Sequence, residues 1–489
     1  MIQAKETNLQ AFDQSRIAEL EKYVEEAMTL AQVPGMSIAI VEDGRVVYTK
    51  GFGVRETGGT DAVTPETYMM IGSITKSMTS LMIATLVDDK RITWDTPLDS
   101  LYPGFALSDP ELSPKITFYY SLCACVGLER KDYMGWFNSG QLTAEGMLNA
   151  MPGFNVVSQL GEQFAYSNEM VAAGGYIAAL VDGNSAGDLK QGYLDAMQAR
   201  VFDPIRMPST TFSFEQVKAS GDFAMPHGYN LQGTYQAFNM DLEKRFLPVL
   251  PSGMVWSNAD DMARYMVTLL NGGVTPDGQR VVSSDNLAYL WKGYTPLTAT
   301  ASYGLGWVNE RFHGFSLISH QGNTSGYSSD IAFIPEAGVG IVILTNARGV
   351  NALNQAIHTR FLELALDLPV SNDTAFRNSL AETQKSNTEW AGYFESDFDP
   401  ALVAPYVGTF SNPILGEINI EMTGGQLIAD SGEFRSALSR LEGDDSLYFA
   451  ASEPPLLTYP LVFEFKMDAQ GMPTIVFEAG SETYVFSKK

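Results

Sequence analysis

Strand-forming patterns occur at three separated places in this chain, with a long helix-patterned stretch between the first two. Met36 to Val41 and Arg45 to Tyr48 read as strands joined at Glu42-Asp43-Gly44, a hairpin signal. An amphipathic helix is expected before them over residues 14 to 32, with Ile17, Leu20, Tyr23, Val24, Ala27 and Met28 on one face. From about 90 to 300 the pattern is mainly helical, broken by Met151-Pro152-Gly153 and Thr275-Pro276-Asp277-Gly278. Strand character returns at Leu305 to Asn309, Ser316 to His320, Ser329 to Pro335 and Val339 to Thr345, and Ala352 to Leu366 is again helical. Sheet residues thus come from both ends of residues 1–370. That predicts an α/β fold: an antiparallel sheet covered by helices, with an all-helical subdomain inserted at about 90–300. Residues 371–401 are polar and acidic and read as a linker with a little helix. Residues 402–489 hold short alternating segments separated by Gly, Asp and Pro, the pattern of a small antiparallel barrel or sandwich.

Charge narrows the partners. The 489 residues carry 31 Lys plus Arg against 57 Asp plus Glu, a net charge of -26. Phosphate backbones and anionic membranes are repelled by such a surface, so nucleic acid is excluded as a partner. No apolar run is long enough to span a bilayer, and the first 20 residues have no apolar h-region. The chain therefore reads as cytoplasmic or as beginning after a removed signal. Cys123 and Cys125 are too close in sequence for an ordinary disulfide and too few for a zinc site, so two small buried apolar side chains are expected. His227, His313, His320 and His358 lack metal-ligand spacing, and no cofactor is implied.

Chemistry enters with Ser73-Ile74-Thr75-Lys76, which opens a helix-patterned run continuing through Met78, Leu81, Met82, Thr85 and Leu86. Three residues is one helical turn, so Ser73 and Lys76 share a face. A desolvated lysine amine there can take the serine's proton. A chain of this length holds about one such tetrad by chance, so the tetrad needs partners. Tyr166-Ser167-Asn168 offers two: Tyr166 as a proton relay and Asn168 as a hydrogen-bond partner for Lys76 and a substrate amide. Packing of Tyr166 in the core is the competing assignment. His320-Gln321-Gly322 ends a strand pattern, and the N–H of Asn323 is placed to bind an oxyanion. Gly322 lets substrate approach the backbone. His320 either hydrogen-bonds substrate or Tyr166, serves as an alternative base for Ser73, or is a satisfied structural residue. No G-x-S-x-G elbow is present.

These residues resemble the serine β-lactamase and penicillin-binding protein superfamily, in its class C-like branch of esterases and D-aminopeptidases. Tyr68 to Lys76 is similar to that family's nucleophile segment, Tyr166-Ser167-Asn168 to its Tyr-x-Asn, and His320-Gln321-Gly322 occupies its Lys-Thr-Gly position. Ser252 to Ser257 and Tyr303 to Trp307 also look like family landmarks, all in family order across residues 15–370. The C-terminal segment is similar to the lipocalin-like barrels of some members. The resemblance implies acyl transfer: Ser73 attacks a carbonyl, Lys76 and Tyr166 act as base and relay, and the N–H groups of Ser73 and Asn323 hold the oxyanion. It implies a small-molecule or peptide substrate bearing an ester, amide or D-peptide bond, and a periplasmic or secreted location. His320 in place of lysine implies weak or no β-lactamase activity, and Ile116 to Leu128 departs from the branch's usual pattern. A non-catalytic peptidoglycan-peptide binder and an acyltransferase are the other functions such a scaffold supports. Oligomeric state is not written in the sequence.

Overall fold

The computed structural model describes residues 11–137, 140, 142–182, 188–371, 373–395, 398–442, 447–458, 461–480 and 482–489. The chain divides into two compact units. The first comprises Met1–Arg130, Thr143–Ala224 and Pro248–Phe376; the second comprises Lys131–Leu142, Met225–Leu247 and Arg377–Lys489.

The first unit is built on an eight-stranded antiparallel sheet. Its strands are β1 (Gly35–Glu42), β2 (Arg45–Gly53), β3 (Thr295–Pro296), β4 (Ala301–Tyr303), β5 (Val308–Phe312), β6 (Phe315–Asn323), β7 (Ser328–Ile334) and β8 (Val339–Thr345), in the order β2-β1-β8-β7-β6-β5-β4-β3. The N-terminal hairpin therefore joins the C-terminal strands through β1 and β8, whose register runs from Met36 opposite Thr345 to Glu42 opposite Val339. The hairpin turns where Asp43 and Gly44 both take positive φ, 46° and 69°. That backbone twist suits right-twisted strands. β7 and β8 are buried along their whole length, as central strands covered on both faces must be.

Helices supply the cover. Gly340 of β8 lies against Met266 of α4 (Ala259–Leu270). Thr345 donates to Asn354 Oδ1 of α5 (Asn351–Ala365) at 3.0 Å. Positions 340 and 345 are an odd number apart, so these helices lie on opposite faces of the sheet. α1 (Gln14–Ala31) packs on α5. Its N-terminus is capped by Asp13, which accepts from the Ser15 and Arg16 N–H groups. Between β2 and β3 lie α2 (Thr75–Asp88), α3 (Asn168–Ala179) and several shorter helices. The stretch is not purely helical: Met69–Met70 pairs with Trp256–Ser257 in a two-stranded sheet.

In the second unit, β9 (Gly408–Asn412), β10 (Gly416–Thr423), β11 (Gln426–Asp430), β12 (Arg435–Leu441), β13 (Leu447–Ala451), β14 (Val462–Met467), β15 (Pro473–Ala479) and β16 (Glu482–Lys488) each pair with the next. β9 pairs with β16 at Phe410–Lys488 and Ser411–Ser487, closing an up-and-down barrel, and the short strand Phe394–Glu395 adds to β12 at Arg440–Leu441. Trp136 and Phe137 sit in the core of this barrel with Phe410, Phe434, Phe477 and Phe486. Beside them, Glu482 accepts from Lys131 Nζ at 2.8 Å and Tyr133 OH at 2.5 Å. Part of the segment read as a linker, Asp373–Gly392, forms a 20-residue helix, α6, in which Phe376 is the buried residue.

Candidate active site

Ser73 sits in a single 3-10 turn, Gly72–Ile74, which runs directly into α2. α2 is buried from Thr75 to Leu86, not on one face alone. Its polar side chains are paired internally, as burial requires. Thr79 Oγ1 donates to the Pro251 carbonyl at 2.6 Å and contacts Tyr193 OH at 2.7 Å, and Ser77 Oγ donates to the Ile74 carbonyl at 2.7 Å. A rigid, fully packed helix thus carries Lys76.

Lys76 is 0% exposed. Its Nζ lies 3.0 Å from Ser73 Oγ, 2.7 Å from Asn168 Oδ1 and 2.6 Å from the Ser252 carbonyl oxygen. The two carbonyl oxygens can only accept, so they fix two amine hydrogens. The remaining tetrahedral position faces Ser73. There an ammonium donates a third hydrogen, and a neutral amine presents a lone pair. Asn168 opens α3, so the N-terminus of that helix aims its side chain, and Ser167 caps the helix by accepting from Met170 N–H at 3.2 Å.

Tyr166 OH donates to Ser73 Oγ at 2.8 Å. Lys76 Nζ stands 4.6 Å and the Arg130 guanidinium 5.4 Å from the Tyr166 ring centre, so two basic groups lie close to one phenol. The structure therefore brings Ser73, Lys76, Tyr166 and Asn168 into one hydrogen-bonded cluster. A tyrosine simply packed in the core does not describe it.

β6 forms the adjacent wall. β5 pairs with β6 only as far as Ser319. Beyond that point the edge from His320 to Asn323 lies beside the nucleophile turn instead of another strand. Gly72 has a φ of 51°, and a methyl group there would stand 2.6 Å from the Asn323 nitrogen. The two residues offered as oxyanion donors are thus neighbours. Gly322 serves a different purpose from the one expected. A side chain on it would overlap the Ile71 carbonyl oxygen and Ser329 Oγ, so its bareness admits the nucleophile turn rather than substrate.

His320 is 5% exposed. Nδ1 is 2.7 Å from the Gln321 carbonyl oxygen, an acceptor, so it carries the proton. Nε2 then accepts from Tyr303 OH at 3.0 Å. Burial first, and then the charge of Lys76, push its pKa down to about 4, so at neutral pH the imidazole is uncharged. Both ring nitrogens are occupied. His320 bonds Tyr303 and not Tyr166, and the alternative Ser73–His320 pairing finds no contact in this geometry.

Three participants escaped the sequence reading. The Ser252 carbonyl is a backbone acceptor and has no side-chain signature, although it lies in the Ser252 to Ser257 landmark. Tyr303 opens the Tyr303 to Trp307 landmark, whose pattern does not reveal that His320 is its partner. Cys123 and Cys125 form a disulfide with a Cα separation of 5.3 Å, contrary to the expectation of two thiols. Ala124 between them takes a φ of 50°, a left-handed turn that brings neighbours-but-one together. A separate void of about 740 Å3 is lined by Phe202, Met207, Arg264 and Pro276 among others and contains none of these residues, so chemistry rather than volume locates the site.

The β-lactamase family profile matches residues 20–365. Unguisins hydrolase ungD' of Aspergillus campestris is 24% identical over 421 residues, 81% of this chain and 76% of that protein. Penicillin-binding protein 4 of Amycolatopsis lactamdurans is 27% identical over 322 residues, 64% of this chain and 81% of that protein. The octameric penicillin-binding protein homologue from Pyrococcus abyssi superposes with a TM-score of 0.61 at 21% identity, covering 96% of this chain and 100% of that chain, a likeness of fold.

Proposed function

The chain belongs to the β-lactamase family, and on that premise we propose that it is a serine hydrolase working through an acyl-enzyme on Ser73. The observation that carries the reading is that Ser73 Oγ lies within hydrogen-bond reach of both a buried lysine nitrogen, at 3.0 Å, and a tyrosine hydroxyl, at 2.8 Å. Ser73 Oγ attacks the substrate carbonyl carbon as its proton passes to the neutral Lys76 amine. The N–H groups of Ser73 and Asn323 hold the resulting oxyanion. Collapse breaks the bond to the leaving group, which takes the Tyr166 proton. The Lys76 ammonium then returns a proton to the tyrosinate. Water repeats the cycle in reverse, giving the free acid and regenerating Ser73.

The substrate is an ester, amide or D-peptide, as a small molecule or peptide. A neutral His320 at the strand edge offers no charge to an anionic substrate, which supports weak or absent β-lactamase activity. The names of the relatives, hydrolases of unguisins and a penicillin-binding protein, support acyl chemistry on this scaffold without choosing the bond. The Cys123–Cys125 disulfide supports an oxidising location, periplasmic or secreted. The test is a panel of p-nitrophenyl esters, nitrocefin and D-amino-acid anilides against the wild type and Ser73→Ala. Turnover lost in Ser73→Ala is expected. Absence of both turnover and any covalent adduct in the wild type overturns the reading in favour of a binding protein.

A further inference from the structure

The loop closed by the Cys123–Cys125 disulfide is tied to the segment that carries Tyr166. The left-handed Ala124 turns its carbonyl so that it accepts the Ala165 N–H at 2.7 Å, one residue before the relay tyrosine. The next carbonyl, of Cys125, accepts the Gly161 N–H at 2.7 Å, and that of Cys123 accepts Thr295 Oγ1 at 2.9 Å. Three successive carbonyls therefore point at three different partners, a spread that the small disulfide ring holds in place. Cys125, Ala165, Tyr166 and Tyr303 share the wall of a cavity of about 10 Å3, room for no more than one water. Both cysteines are buried, at 0% and 2% exposure.

We infer that the Cys123–Cys125 disulfide is a positioning element for Tyr166, fixing through Ala124 and Ala165 the distance from which the phenol delivers its proton to the leaving group. The inference rests on the relay role proposed for Tyr166. Opening the ring adds two hydrogens, one to each sulfur, with two electrons taken from a dithiol that itself closes to a cyclic disulfide. An open loop frees Ala124 to leave the left-handed region, which a non-glycine residue occupies only under constraint. The Ala165 anchor goes with it. Ser73 lies in the Gly72–Ile74 turn and Lys76 on α2, which follows it directly, and neither segment bonds to the disulfide loop through the Ala124 carbonyl, so the nucleophile and base stay in place. The defect is confined to proton delivery.

That confinement gives the test. p-Nitrophenyl butyrate expels a leaving group that departs without help, whereas ethyl butyrate expels an alkoxide that must be protonated. Hydrolysis of both by the full chain is measured for the wild type, the Cys123→Ser/Cys125→Ser variant, Tyr166→Phe and the triple variant. The ratio of ethyl to p-nitrophenyl kcat/KM is expected to fall about 10- to 100-fold in the double-serine variant, as in Tyr166→Phe. The triple variant should fall no further than Tyr166→Phe alone. If the serine variant does not fold, dithiothreitol-reduced wild type replaces it, reduction being followed by the gain of two hydrogens and reversed by reoxidation. An unchanged ratio in a folded, ring-opened protein overturns the inference alone. Failure of the wild type to acylate on either ester overturns it together with the proposed function.

Discussion

Gly72→Ala puts the geometry of the site under direct load. Gly72 immediately precedes the nucleophile, holds a φ of 51°, and places its bare face against the Asn323 backbone. A methyl group there would stand 2.6 Å from the Asn323 nitrogen and 3.0 Å from its carbonyl atoms, against about 3.4 Å for ordinary contact. The turn and β6 must then separate by most of an ångström. The left-handed backbone costs about 1–2 kcal/mol with a Cβ present, and the overpacking adds about 1–3 kcal/mol. Because the separation moves the Ser73 and Asn323 N–H groups apart, kcat/KM should fall by about 100-fold, well beyond what the stability loss implies for a protein still folded. Gly253→Ala is the matched control, since its methyl group would meet Gly72 no closer than 3.9 Å. The assay is ester hydrolysis alongside a urea titration of each variant. Wild-type rates in folded Gly72→Ala would refute the claim that this contact sets the oxyanion site.

Other outcomes follow from the same geometry. Asn168→Ala removes one of the acceptors holding Lys76 and should lower kcat about 10- to 100-fold with little change in KM, as steady-state kinetics will read. His320 has its pKa depressed to about 4, so the unfolded chain binds more protons between pH 6.5 and 4. Stability is lost as pH falls through that window, by about 3 kcal/mol at most, and His320→Gln should flatten the pH dependence of the urea midpoint. In the barrel unit, burial alone would raise the Glu482 carboxyl, but hydrogen bonds from Lys131, Tyr133 and Tyr484 hold it down to about 2. Its contribution is present above pH 4.5 and lost as pH falls toward 2. Discounted for partial exposure, it amounts to about 1–2 kcal/mol, and Glu482→Gln should remove this acid sensitivity from the barrel's unfolding.

What was legible in the sequence was what periodicity and spacing encode. The hairpin at Asp43-Gly44, the buried strands β7 and β8 and the one-turn offset from Ser73 to Lys76 all follow from side-chain pattern. β5 begins at Val308 instead of Leu305 because Gly306, at a φ of 80°, bends the chain against the Lys76 carbonyl before the strand starts. α6 was underestimated because Phe376 alone gives it a buried residue, so it carries almost no apolar period. β12 has no strand signal of its own, because Arg435-Ser436-Ala437-Leu438 does not alternate by hydrophobicity although it is laddered on both sides. In the site, the motif residues and the two N–H donors at Ser73 and Asn323 could be named from local sequence, whereas contacts made between distant segments could not. The Ser252 carbonyl, the Ala124 carbonyl and the pairing of His320 with Tyr303 are products of tertiary approach, which no local window contains. The disulfide was missed because the spacing rule assumes right-handed or extended backbone between the cysteines, and Ala124 is neither.

The most direct measurement is the mass of the protein quenched during turnover of p-nitrophenyl butyrate, with the modified peptide sequenced. An acyl group on Ser73, absent in Ser73→Ala and accumulating more slowly in Lys76→Met, is the predicted result. Steady hydrolysis with no adduct on Ser73, or an adduct on another residue that survives Ser73→Ala, contradicts the account.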